Sequence, residues 1–160
     1  SIGQVAEILT MFVLGWTLHK IGWKATMIVG VLGHTIRFLV YAFLPEQTSL
    51  MILVQVIHGI CYAFYFATVY IYIDKCFPKD IRTSAQGLFN LMIFGLGDIV
   101  CKIFWIYFGN PMFTVKTETG TALDWPKLFL VPAGLSIVAV LVLALFFHPK
   151  DSAADVDVSH

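Results

Sequence analysis

Three features of this sequence predict an all-α, polytopic membrane protein. Its 160 residues are 59% hydrophobic and only 12% charged, with a mean hydropathy of +0.84, whereas soluble domains carry about 25% charged residues. The apolar residues fall into five long runs, each reaching or approaching the ~20 residues that cross a ~30 Å hydrocarbon core. The connections between most runs are short and polar, so successive helices must cross antiparallel. A chain of this length can bury a globular core, but not five segments so long and so apolar. Ten basic and ten acidic residues cancel, which leaves no charge argument for a nucleic-acid or acidic partner.

The first helix is expected over residues 1–18, apolar except for Gln4, Glu7 and Thr10, and it ends in the turn His19-Lys20-Ile21-Gly22. The second, residues 23–44, stops before Pro45, because proline disfavours helix at the residue before it. His34 and Arg37 lie inside it. A turn at 45–48 leads to the third helix, residues 49–73. The stretch Asp74–Gly97 then organises the rest of the chain. It opens on a charged turn in which Lys75, Lys79 and Arg82 alternate with Asp74 and Asp80, and Pro78 keeps one helix from running straight through. The fourth helix follows over residues 81–108, with Gly95 and Gly97 as sites for bending or close packing. Residues 109–124 read as a polar loop, residues 125–148 as the fifth helix, and residues 151–160 as a disordered tail.

Basic flanks set the orientation of such a bundle. Lys20, Lys24, Lys75, Lys79, Arg82 and Lys150 fall on one side and only Lys116 and Lys127 on the other. The Gly22 turn, the Asp74–Arg82 turn and the C-terminus are therefore expected in the cytoplasm. Trp23, Trp105 and Trp125 fall near span ends, where interfacial anchors sit. The three cysteines form no CxxC; Cys61 and Cys101 lie within spans and Cys76 in the charged turn, which reads as packing without a disulfide framework. Ser1 is not a start methionine, and Glu7 within the first apolar run argues against a signal peptide. The chain is thus expected to be part of a longer protein.

Ionisable side chains at membrane depth cost several kcal/mol and mark candidate functional sites. At ~1.5 Å per residue from the cytoplasmic end of each span, Glu7 lies ~17 Å deep, Arg37 ~20 Å, His58 ~22 Å and Asp98 ~25 Å. Four helices thus place a polar group in one layer, near the depth at which secondary transporters hold substrates and coupling ions. Two readings stand side by side: Arg37 neutralises Glu7 or Asp98 and locks helices together, or these groups take part in transport. Asp98 and Lys102, four residues apart in acid-first order, suit an i,i+4 pair.

The third helix carries Gln55, His58, Tyr62, Tyr65 and Phe66 on one face, beside a Gly59, Ala63, Ala67 stripe of the kind that lets helix backbones approach. An aromatic face with a few polar groups suits a planar, partly polar ligand such as a base on a sugar; equally, these rings can pack on lipid or on neighbouring helices. Gln86, Asn90, Gly97 and Cys101 share a stripe on the fourth helix, where the amides serve a ligand or a neighbouring helix. Other chemistries find no support. There is no HExxH, no G-x-S-x-G and no Gly-rich phosphate loop, and His19, His34, His58, His148 and His160 are scattered without metal-ligand spacing. No enzyme is expected, no cofactor and no metal.

Several stretches carry a family resemblance: SIGQVAEIL at residues 1–9, IRF at 36–38, IRTSAQGLF at 81–89, GLG at 95–97 and TALDW at 121–125. The chain resembles the C-terminal half of a major facilitator superfamily transporter, specifically the bacterial nucleoside:proton symporters, over essentially all its length. The resemblance implies a twelve-helix fold of two six-helix halves, of which this chain supplies helices eight to twelve, in a bacterial inner membrane. It implies that Gln4 and Glu7 line the nucleoside cavity and that Tyr62 is its aromatic partner. It departs from the family pattern at Ala63, where well-known members carry a carboxylate, so the proton falls to Glu7 or His58. Candidate substrate residues are then Gln4, Glu7, His58, Tyr62, Phe66 and Asn90, with Glu7 as the proton-coupling candidate and Arg37, Asp98 and Lys102 as intramembrane charges. The partners are the bilayer, a nucleoside-like solute, protons and the missing N-terminal half. The competing reading is a truncated fragment with a structural or assembly role and no transport of its own.

Overall fold

The computed structural model describes residues 2–117 and 120–149, with side chains from residue 8 onward. Four helical stretches are long and apolar enough to cross a membrane. The first, α1, is Ile2–Phe43; α2 is Thr48–Cys76, α3 is Lys79–Phe113 and α4 is Trp125–Phe146. Between α3 and α4, where the sequence suggested only a polar loop, Thr114–Thr117 (β1) and Gly120–Leu123 (β2) pair antiparallel, Thr114 opposite Leu123.

The two N-terminal runs join into one element that breaks at Gly22, whose φ of 79° and ψ of 174° are not helical. Glycine reaches this conformation without a Cβ penalty, so the chain redirects there without a loop. Thr26 closes the break by donating from Oγ1 to the Gly22 carbonyl at 2.8 Å. The same back-bonding satisfies Thr17, which donates to Val13 at 3.0 Å, and Thr35, which donates to Val31 at 3.3 Å. These threonines are buried, and bonding to the preceding turn removes the cost of an unpaired hydroxyl in an apolar layer.

α1 is the hub of the bundle. Around the break, Leu14, Leu18 and Trp23 form a buried cluster against Phe64, Ala67, Ile71 and Tyr72 of α2 and Phe147 after α4. Trp23 is 1% exposed and meets Tyr72 edge-on at 5.4 Å. The expectation of an interfacial Trp23 is therefore corrected: being next to a span end put it at the right depth, but its ring turns into the bundle. Trp125, by contrast, is exposed. Further along α1, Gly30 and Gly33 let α2 approach. A Cβ on Gly30 would lie 2.9 Å from the Tyr65 backbone nitrogen, and one on Gly33 would lie 2.0 Å from Cys61 Sγ. On α2, Gly59, Cys61 and Ala63 are buried in this contact. On its other side α1 meets α4, where Thr35 and Ser136 hydroxyls bond at 2.8 Å and Phe129 packs on Phe38 and Tyr41.

α3 is different. None of its most apolar stretch is buried, whereas nearly half of that of α1 is. It follows α2 through Phe77, in extended conformation, and Pro78, which caps α3. Arg82 fastens the turn, bonding Asp74 at 3.1 Å and the Phe77 carbonyl at 3.4 Å. Deeper in, aromatic ring contacts and the Tyr70–Asn90 hydrogen bond join it to α2. Helix geometry widens to π-type over Ala63–Ala67, Leu91–Gly97 and Trp105–Gly109. Such turns leave a carbonyl without its regular partner and occur often at functional sites.

Asp124 caps α4, accepting from the Lys127 backbone at 3.2 Å and pairing with its ammonium at 2.7 Å. The Lys127 contacts hold the Asp124 carboxyl below its ordinary value. A carboxylate with a depressed native pKa adds stability above its unfolded pKa and loses it as pH falls through the folded one. Asp124→Ala should therefore lower the thermal midpoint modestly at neutral pH. The gap from the parent should close on acidification below the ordinary carboxylate range, as read by melts of the detergent-solubilised protein.

Candidate functional site

The polar layer of the bundle is built by α1 and α2. His34, Arg37, Phe38 and Tyr41 recur at helical spacing on α1 and so share a face. α2 answers with Gln55 and His58, three residues apart. The close approach at Gly30 and Gly33 brings the faces together. A guanidinium N–H of Arg37 donates to Nδ1 of His58, and Arg37 Nε donates to the Tyr41 hydroxyl at 3.3 Å. Gln55 donates to the same hydroxyl at 2.9 Å. The His34 and His58 rings lie 5.6 Å apart, tilted by 55°. Arg37 also stands over the Phe38 and Tyr41 rings, at 5.5 and 5.4 Å, so its charge is held by two aromatic faces as well as by hydrogen bonds. His34, Arg37 and His58 are half-buried.

One turn beyond His58, Tyr62 and Phe66 lie 4.6 Å apart at 32°, and Tyr65 meets Phe66 edge-on at 5.2 Å. Of these rings Phe66, on the π-type turn at 63–67, reaches α3. There Phe94, itself on the π-type turn 91–97, stacks on Phe66 at 6.1 Å and 19°, and Phe89 meets it edge-on at 6.3 Å. Asn90 accepts a hydrogen bond from the Tyr70 hydroxyl.

The predicted residues are thus partly assembled. Tyr62 and Phe66 come together and Phe66 reaches α3. His58 turns instead to Arg37 and His34, and Asn90 is engaged by Tyr70. Gln4 and Glu7 lie on α1, but their side chains fall outside the described residues. The structure corrects the suggested Arg37–Asp98 neutralisation, because Arg37 goes to His58 and Tyr41. Asp98 instead pairs with Lys102 at 2.5 Å on an exposed face of α3. Helix placement explains this: α1 and α2 set their polar faces against each other, while α3 meets α2 at Phe66, Tyr70 and Asp74, away from Arg37. Sequence reasoning missed Tyr41 as the shared acceptor and His34 as the neighbour of His58. The 34, 37, 38, 41 spacing carried that signal.

A family model described as nucleoside H+ symporter matches residues 1–152. The chain belongs to that family. It is 29% identical to the putative nucleoside transporter YegT of Escherichia coli K12, over 95% of this chain and 37% of that protein. It is 28% identical to the nucleoside permease NupG of the same organism, over 94% of this chain and 35% of that one. The xanthosine permease of E. coli K12 is 25% identical over 92% of this chain and 35% of its own length. A crystal structure of a NupG variant superposes with a TM-score of 0.71 at 27% identity, covering 92% of this chain and 36% of that one. The chain therefore spans little more than a third of the length of these relatives. The family agrees with the resemblance drawn from the motifs. The fold agrees in being helical and in matching the NupG structure, with four helical stretches of span length among the described residues where five were expected.

Proposed function

We propose that this chain forms the C-terminal part of a secondary transporter that moves nucleosides or related small solutes with protons. In this reading it supplies helices eight to twelve of a twelve-helix major facilitator fold, and the two halves rock to expose the site alternately. α1 then crosses twice. Its 42 residues would extend ~63 Å at ~1.5 Å per residue if straight, about twice the hydrocarbon thickness, and the break at Gly22 allows the return. The basic flanks favour a bacterial inner-membrane orientation with the C-terminus in the cytoplasm.

The observation that carries the reading is the Tyr62–Phe66 face, where α2 passes into a π-type turn, one turn beyond the Arg37–His58 network. Stacking on a base and hydrogen bonding to a sugar need these two surfaces next to each other. Tyr62 acts as the stacking partner, Gln4 as a polar contact and Glu7 as the proton partner, with Asn90 reached from α3. The exposed α3 favours a second reading. None of the most apolar stretch of α3 is buried, so in this reading the portion alone is a fragment with a structural or assembly role and no transport of its own.

Nucleoside-dependent proton uptake by vesicles containing the full-length protein tests the proposal. Uptake should occur, and Glu7→Gln should abolish the proton movement. Nucleoside transport and coupling unchanged by Glu7→Gln would remove Glu7 from the mechanism. Absence of uptake by the full-length protein would leave the structural reading.

A further inference from the structure

The Arg37–His58 contact joins a permanent cation to a titratable ring inside the apolar layer. A guanidinium only donates, so His58 Nδ1 must present its lone pair there and carry its ring proton on Nε2. His58 is neutral while the contact lasts. A proton on Nδ1 would consume the acceptor and set an imidazolium against the guanidinium, so proton and contact exclude each other.

We propose that His58, with His34 beside it, is a proton-binding site, and that proton binding there releases Arg37 from α2. Hydronium delivers H+ to Nδ1 and leaves as water; Nε2 keeps its hydrogen, and the ring becomes a cation. Arg37 has somewhere to go. Its Nε already reaches the Tyr41 hydroxyl at 3.3 Å, and the Phe38 and Tyr41 faces hold its charge. Those partners lie on α1 itself and already hold Arg37 there, so the move gives up the Arg37–His58 link between α1 and α2 while the contacts within α1 remain. His34, its ring centroid 5.6 Å from that of His58, offers a second ring for the same proton. Beside Arg37, the two rings together take one added charge more readily than two, because like charges disfavour ionisation.

Among the described residues, few other charged or titratable groups lie on the elements packed around His58. α1 brings His34, Arg37 and Tyr41, together with Glu7 on its other arm, whose side chain lies outside the described residues. α2 itself brings Cys61, Tyr62 and Tyr65. α4 carries a charge only at Lys127, paired with Asp124, and Asp98 of α3 is bonded to Lys102. The proposal deepens the proton-coupled reading and rests on it for its meaning in transport, but proton binding itself can be read without any nucleoside.

Histidine-labelled full-length protein, followed by nitrogen NMR across pH, supplies the test, with His58→Gln assigning the resonance. His58 should be neutral and protonated on Nε2 in the parent. Arg37→Gln should raise its midpoint by about one pH unit or more, since an adjacent like charge is removed. Arg37→Lys, which keeps the charge, should raise it far less and guards against a variant that merely misfolds. An unchanged midpoint in Arg37→Gln, or a proton on Nδ1 in the parent at neutral pH, would overturn the proposal. Failure of nucleoside uptake with the titration as predicted would instead remove the transport reading and leave the proton site.

Discussion

Gly30→Leu is expected to prevent accumulation of the folded protein. The Cβ of any replacement would lie 2.9 Å from the Tyr65 backbone nitrogen, 3.1 Å from the Cys61 carbonyl oxygen and 3.2 Å from the Phe64 carbonyl carbon. These are backbone atoms, and they cannot rotate away as a side-chain tip can. Relief requires α1 and α2 to separate. Overpacking costs ~1–3 kcal/mol, occasionally more, where flexible side chains can adjust; here they cannot, and leucine adds three further carbons. Between membrane helices the association rests on packing and hydrogen bonds, without a hydrophobic drive to compensate. The separation would also break Arg37–His58, because the same approach holds that contact. Gly33 makes a useful contrast. Its added Cβ would meet Cys61 Sγ at 2.0 Å and Ile57 Cγ2 at 3.3 Å, both side-chain atoms, so Gly33→Ala should be damaging alone and recover in part with Cys61→Ala. Fluorescence-detected gel filtration of the tagged full-length protein, with heating, reads both. A Gly30→Leu protein with the parental elution and melting midpoint would contradict this account of the interface.

The second large effect is expected at Phe66. α3 buries almost nothing, and Phe66 is the ring that touches it twice, at Phe89 and Phe94, while also meeting Tyr62 and Tyr65. Aromatic pairs contribute ~0.5–1.5 kcal/mol each beyond buried area, so Phe66→Ala removes several such terms at one join. The other ties between α2 and α3 are the Tyr70 contacts to Phe89 and Asn90 and the Arg82–Asp74 bridge. An exposed surface ion pair adds little. Phe66→Ala should therefore loosen α3 and weaken nucleoside binding together, whereas Phe66→Tyr should keep the first. Cross-linking efficiency between cysteines placed on facing turns of α2 and α3 separates the two, falling in Phe66→Ala and holding in Phe66→Tyr. Equal cross-linking in all three proteins would show that α3 is held some other way.

Much of this architecture is legible in the sequence because membrane helices announce themselves by length and apolarity. The runs at 49–73, 81–108 and 125–148 lie within or close to the helices Thr48–Cys76, Lys79–Phe113 and Trp125–Phe146. The Gly59, Ala63, Ala67 stripe pointed to close packing on α2, and Gly59 and Ala63 are buried there. What sequence periodicity does not carry is the register between helices. His58 and Arg37 sit at matching depths, yet only the approach at Gly30 and Gly33 decides that they meet each other, leaving Asp98 to Lys102. Trp23 shows the same limit: depth follows from position along the helix, while rotation follows from what the neighbouring helix offers. The β1–β2 pair escaped notice because a four-residue strand on an exposed hairpin has no buried face to impose alternation. Gly22 was visible as a turn, but the near-continuity of the helix through it was not, since one positive φ redirects a chain without interrupting its pattern.

Nucleoside binding to the purified full-length protein, by isothermal titration of the parent and of Tyr62→Ala, is the measurement closest to the central claim. The account predicts saturable binding by the parent and at least a tenfold loss in Tyr62→Ala, in line with ~1–3 kcal/mol for a base stacked on an aromatic side chain. Binding of equal strength to both proteins would move the site off α2. No binding to a folded, full-length parent would contradict the account altogether.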